Sequence, residues 1–254
     1  MDIDALLADR TEMPPSGPDL AYDPVFHRME QAGAPRPHPM LGADTAMRRA
    51  PDWSVARDAA LAVLQRSHDL RAAALLANVV LRTDGLSAFV DALTLLAVMT
   101  QRHWETCHPA RDTEEWDLCD ARRSALALLF AAEEPFSPRA GLWGAPVART
   151  AEGTLRVGDL AARCEPHLAQ HAAPTLDETQ VDLLADICRA EVIAAIGLAH
   201  EGLTALERLQ QVLPGSGSVW RLGPHYEAMT TILRAVVRYA EVSAGAPVKP
   251  WGGA

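Results

Sequence analysis

Ten apolar positions in the last third of the chain step by three or four residues: Val181, Leu184, Cys188, Val192, Ala195, Ala199, Leu203, Leu206, Leu209 and Leu213. An α-helix, which turns once every 3.6 residues, gathers such positions into one buried stripe; a strand does not. The spacing therefore predicts a single helix of about 35 residues. Gly197 and Gly202 weaken it by roughly 1 kcal/mol each relative to Ala. Pro214-Gly215-Ser216-Gly217 ends it. A second helix starts near Pro224 and carries Tyr226, Met229, Leu233, Val236, Val237 and Ala240, which makes a helical hairpin. The stripe suits two arrangements equally: pairing with a second copy in a homodimer, or packing on its own chain.

The middle of the chain is also helical. Asp52 is placed to cap a helix ending near Ser67, with Val55, Ala59, Leu61 and Leu64 inside. Asp69 caps the next, through Leu81, and Gly85 breaks the chain. A third helix is expected from Leu86 to Thr106, with Phe89, Leu93, Leu96, Met99 and Trp104 on its apolar side and Pro109 as its stop. Short connections make these neighbours antiparallel. A fourth helix is expected over Asp117 to Ala132. The first 50 residues are punctuated by Pro and Gly, which leaves room for one helix, Asp23 to Ala32, with Pro24 at its first position. Ala145 to Val157 reads as a small hairpin with a Gly-containing turn, and a short helix to Cys164 follows. The expected fold is mainly α, with one β-hairpin. Residues 1–165 form a helical N-terminal unit, 175–244 a helical hairpin, and 245–254 a loose tail.

Composition narrows the function. The 254 residues carry 33 acidic against 23 basic side chains, a net charge of −10. This balance argues against nucleic acid and against anionic membrane surfaces. Lys249 is the one lysine, so no Lys-dependent phosphate site has a candidate in the fold. No apolar run is long enough to span a membrane, and Met1-Asp2-Ile3-Asp4 lacks the features of a secretory signal, which points to the cytoplasm. Four cysteines are too few for a disulfide scaffold and read as free buried thiols.

Catalytic motifs are missing: there is no G-x-G-x-x-G, no G-x-x-x-x-G-K-[ST], no G-x-S-x-G and no H-E-x-x-H. Two clusters invite a metal reading, His103/Cys107/His108 and Cys164/His167/His171. Each falls short of the four ligands of a closed site, and Pro166 interrupts the second. Cys107 and His108, as helix neighbours, would point apart. A thiol- or metal-dependent enzyme built on His103, Cys107, His108 and Cys119 is thus the weaker alternative to a protein with no catalytic site, no metal and no cofactor. Trp143 and Trp220 stand in loop-like stretches and, with Leu203, Leu206 and Tyr226 of the hairpin, are candidate interface residues.

Several segments occur in a telling order. They are Gly17-Pro18-Asp19-Leu20-Ala21-Tyr22-Asp23-Pro24 with Phe26, then Asp52-Trp53, then Asp69-Leu70-Arg71, Gly85-Leu86, Trp104 with His108-Pro109, and Arg122-Arg123-Ser124-Ala125-Leu126. This set resembles the ImpA N-terminal domain of TssA-type proteins of bacterial type VI secretion systems. The hairpin fits that domain's closing segment, and residues 206–237 resemble the family's helical middle region. The resemblance implies an assembly protein without enzymatic activity. It would bind baseplate, sheath, tube or membrane-complex subunits while the contractile tail is built. Large members carry a further ring-forming C-terminal domain, and this sequence ends about where that domain would begin. A short regulatory homologue that pairs with full-length members is the second reading. The motif residues suit fold maintenance: Asp52 and Asp69 as caps, Tyr22 and Trp53 as buried aromatics, and Arg71 near Asp69 within reach of Asp19 or Asp23.

Overall fold

The computed structural model describes residues 1–10, 15–36, 49–110, 120–127, 129, 135–170, 172–212 and 224–243. Its elements are α1 (Ile3–Leu7), α2 (Pro24–Gly33), α3 (Trp53–Arg66), α4 (Leu70–Thr83), α5 (Leu86–Arg102), α6 (Asp120–Ala127), α7 (Pro138–Gly144), β1 (Pro146–Arg149), β2 (Thr154–Arg156), α8 (Val157–Cys164), α9 (Glu178–Ile187), α10 (Arg189–Val212) and α11 (Pro224–Ser243). The fold is mainly α with a small hairpin, as the periodicity predicted.

Local chemistry explains the helix starts. Asp23, Asp52 and Asp69 each accept backbone N–H bonds from the first turn of α2, α3 and α4. Asp177 and Gln180 form a reciprocal capping box at α9. Gly85 takes φ +88° before α5, a left-handed conformation that favours glycine. Helices α2 to α5 pack in chain order, α10 lies along α5 and α11, and α11 closes on α8. Buried side chains from Leu6 to Tyr239 join one hydrophobic cluster, so the units expected at 1–165 and 175–244 share a core. The hairpin pairs Arg149 with Thr154 and Ala148 with Leu155, and a bulge follows before Pro146 meets Arg156.

Three expectations change. The long stripe is carried by two helices. Cys188 (φ −107°, ψ 40°) ends α9, yet its N–H still bonds Leu184 O (2.9 Å) and its carbonyl accepts from Val192 N–H (3.0 Å). The apolar phase therefore survives the break, while α9 is free to pack on α8 and α10 on α5.

The third helix stops at Arg102, short of Thr106, so Trp104 and Cys107 are not on it. Thr106 and Cys107 N–H both turn back to His103 O (3.0 and 2.7 Å). The Trp104, Cys107 and Pro109 carbonyls go to the guanidinium of Arg122.

Residues 138–144 form a helix capped by Ser137, whose Oγ accepts from Ala140 N–H (3.1 Å). The surrounding Pro and Gly had suggested a loop there. Of the fourth helix, Asp120–Ala127 is seen. Trp220, Cys119 and the tail 245–254 lie outside the described residues.

Candidate interaction site

The motif residues converge on one junction. Three chain segments are laced by main-chain bonds: His68 N–H donates to Ser16 O, His108 N–H to His68 O, and Leu70 N–H to His108 O, all at 2.8 Å. Gly17 sits where they meet with φ +76°. A Cβ there would lie 2.2 Å from Arg66 O, so no other residue fits without backbone movement. His108 Nε2–H donates to Gly17 O (3.0 Å), and His103 Nε2–H to Leu7 O (3.2 Å), which pins α1. The His103 ring stacks on that of His68 at 3.9 Å. Burial pushes the His68 pKa down to about 4, helped by the neighbouring His103 and Arg10.

Charge is managed close by. Asp69 is fully buried and is held by Arg71 through Nε (3.1 Å) and Nη2 (2.6 Å). Arg71 reaches on to Asp19 (3.4 Å) and lies over the Phe26 ring. Asp23 is taken by Arg66 (2.8 Å) instead, and its carboxyl stays below the usual range because of that bond and the Val25 N–H. The sequence had left Asp19 and Asp23 as alternatives for Arg71; Arg66 was not anticipated. Leu20, Phe26 and Leu70 are core residues.

Arg122 is 1% exposed and has no carboxylate partner among the described residues; it serves the carbonyls of Trp104, Cys107 and Pro109, with Trp104 stacked beside it. Its role was readable in one respect. It stands four residues before Leu126, in phase with the buried face of α6.

Beside the junction lies a groove of about 480 Å³ lined by Met29, Gly33, Arg71, Leu75, Trp53 and Phe136, among others. Trp53 is half-buried, tilted against Phe136 at 6.4 Å with Arg82 over its ring.

Several expected site residues fare differently. Tyr22 is not buried; it is 92% exposed, because the Asp19–Asp23 turn that carries it faces solvent. Trp143 is not exposed; it packs on Gly158, where a Cβ would come within 2.5 Å of the indole. Leu203 and Leu206 are buried inside the chain, and Tyr226 packs half-buried against the same core.

Of the candidate thiol and metal residues, Cys119 and His171 lie outside the described residues. Cys107 is buried, its pKa pushed up to about 11 by desolvation, and Cys164 behaves alike. Among the described residues no group of three or more His, Cys, Asp or Glu side chains could hold a metal ion.

A family described as ImpA, N-terminal, type VI secretion system matches residues 10–131, the span that builds this junction. The chain belongs to the TssA/ImpA_N family. As a member it is a type VI secretion system component with a general role in assembly and interaction. It is 29% identical over 256 aligned positions to the type VI secretion system component TssA1 of Pseudomonas aeruginosa, which covers 98% of this chain and 72% of the relative. The fold is also that of the N-terminal domain, including the conserved ImpA_N region, of the TssA component from Burkholderia cenocepacia. That likeness has a TM-score of 0.66 at 20% identity, over 97% of this chain and 96% of that one. Among the described residues no helix of this family member is long and apolar enough to cross a membrane.

Proposed function

We propose that this protein works in the cytoplasm as a non-enzymatic assembly factor. It binds baseplate, sheath, tube or membrane-complex subunits while the secretion tail is built. The observation that carries this reading is the fate of the junction's reactive side chains. His103 and His108 are each tied to a main-chain carbonyl, and Cys107 is a desolvated thiol. A general base needs a free nitrogen that a substrate can reach, whereas the unbonded Nδ1 of His108 is buried; a nucleophilic cysteine needs an accessible thiolate. The family motif therefore builds a rigid support, and Tyr22 is the large apolar motif side chain it presents outward.

Deletion of the gene should abolish secretion, and affinity capture of the tagged protein from secreting cells should recover tail or membrane-complex subunits. Normal secretion after deletion, with none of those subunits recovered, would sink the proposal. Alkylation of Cys107 in the folded protein near pH 8 should be negligible; rapid labelling would reopen the thiol-enzyme reading.

A further inference from the structure

Among the described residues, five large apolar side chains stand in solvent: Met1, Tyr22, Leu183, Ile187 and Ile193. Three of them cluster at the α9–α10 break, 55%, 53% and 63% exposed in chain order. Leu183 and Ile187 are one turn apart on α9, and Ile193 lies in the second turn of α10. Ala190, Ala194 and Gly197 extend the strip and are also exposed. The site of a Cβ on Gly197 has nothing within 4 Å. The strip runs for roughly 20 Å at the rise of a helix. It lies opposite the buried stripe of Val181, Leu184, Cys188, Val192 and Ala195, so the segment is apolar on both sides where an ordinary surface helix is apolar on one.

The borders of the strip are acidic. Glu178, Asp182, Asp186, Glu191 and Glu201 outnumber the two arginines there, Arg163 and Arg189. Arg163 bonds Asp182 (3.1 Å) and approaches Glu178 (3.9 Å), and Arg189 bonds Asp186 (3.1 Å). Glu191 and Glu201 have no ion pair among the described residues.

We propose that this strip is a docking surface for an amphipathic helix of a partner protein, one whose apolar ridge is flanked by Arg or Lys. The inference rests on the assembly role proposed above and names the partner's chemistry. Charge complementarity selects this occupant. A basic-flanked helix buries Leu183, Ile187 and Ile193 and answers the carboxylates of Glu191 and Glu201. A second copy offering the same face would set carboxylates against carboxylates, and like-charge juxtaposition works against docking. The sequence stripe leaves a dimer through Leu203 and Leu206 as one of two arrangements; the structure leaves the opposite face open, with a charge pattern that repels its own copy.

Two measurements test this in cells with an assembled apparatus. The first replaces Ile187 or Ile193 by the photocrosslinker p-benzoylphenylalanine in the full chain and sequences the crosslinked peptide. The expected product joins either position to a secretion-system segment with apolar residues at helical spacing and Arg or Lys beside them. Crosslinks to a second copy, to a segment without that pattern, or to nothing while secretion proceeds overturn the proposal.

The second measures secretion in the Ile187→Glu/Ile193→Glu double variant at wild-type protein levels, with a fall of at least ten-fold expected. Wild-type secretion in this variant, where gene deletion abolishes it, removes the strip and leaves the assembly role standing. No effect from deletion itself removes both.

Discussion

The motif junction and the α9–α10 strip invert the usual rule in opposite directions. At the junction polar groups are buried: Ser16, His68, Asp69, His108 and Arg122 are all under 9% exposed. At the strip large hydrocarbons stand in water. The junction tolerates burial because each segment's main chain satisfies its neighbour's, and because Arg71 and Arg122 supply charge-assisted donors to Asp69 and to the Trp104, Cys107 and Pro109 carbonyls. The strip has no such internal answer, so its hydrocarbon is available to another molecule. Side chains that hold the fold and side chains offered to a partner are thus separated in space. Substitutions should separate them by size of effect.

The largest effect is expected at Arg122. Arg122→Met keeps much of the volume but leaves the carbonyls of Trp104, Cys107 and Pro109 without a donor. Stranding several buried acceptors of a charged donor costs about 4 kcal/mol. Urea unfolding should show the midpoint falling by that equivalent. A shift under a quarter of it would mean that the junction does not depend on its buried cation.

Gly17→Ala ranks next. The residue must keep a left-handed φ and clear Arg66 O, and the two demands together cost about 3 kcal/mol. Gly85→Ala shares the positive φ but has open space around it, so its loss should be distinctly smaller. Equal losses would show that conformation alone, and not the close approach, fixes Gly17.

His68 gives the junction a pH signature of comparable size. Its pKa is 6.5 in an unfolded chain and about 4 in the fold. Between those values the unfolded state carries the extra proton, so stability should rise with pH across the window and level off above it. The full gap corresponds to roughly 3 kcal/mol. The carboxyls of Asp23 and Asp52 are held below their usual range, so their contribution is lost only in stronger acid, outside the window. Unfolding free energies near pH 4 and near pH 7 should therefore differ in the wild type and converge in His68→Gln. The same slope in both proteins would place the titration elsewhere.

How much of this was legible in the sequence follows the range of the forces involved. The caps Asp23, Asp52 and Asp69 act within three residues; Asp52 and Asp69 are readable as caps from their position before an apolar run, and Asp23 as the start of its helix. The motif Arg71 was readable up to a choice between Asp19 and Asp23, which only the placement of Arg66 decides. The end of α5 was misplaced because Arg122, eighteen residues beyond Trp104, draws the carbonyls away from helical partners. Tyr22 and Trp143 exchanged their expected places for the same reason. Residue type suggests that an aromatic prefers burial, but only the tertiary fold shows that Gly158 leaves a seat for Trp143 while the Asp19–Asp23 turn offers none to Tyr22. The strip was hidden because apolar residues on both faces of a segment read, one-dimensionally, as a stronger core signal.

The smallest change in stability is expected at the strip, where the comparison is sharpest. Ile187→Gln removes a branched hydrocarbon that is 53% exposed and replaces it with a residue of good helix propensity. Little packing is lost, and substitutions of this kind away from buried features stay within about 0.5 kcal/mol. Leu184→Gln, three residues earlier on the same helix, places an amide where the side chain is 2% exposed, and it should cost about 3 kcal/mol. Thermal unfolding of the pair gives the test. If Ile187→Gln destabilised the protein as much as Leu184→Gln, Ile187 would belong to the core and the α9–α10 edge would lose its claim to a partner. If instead only Leu184→Gln lowers the melting temperature, the two faces of one helix serve different ends, one holding the chain together and the other facing outward.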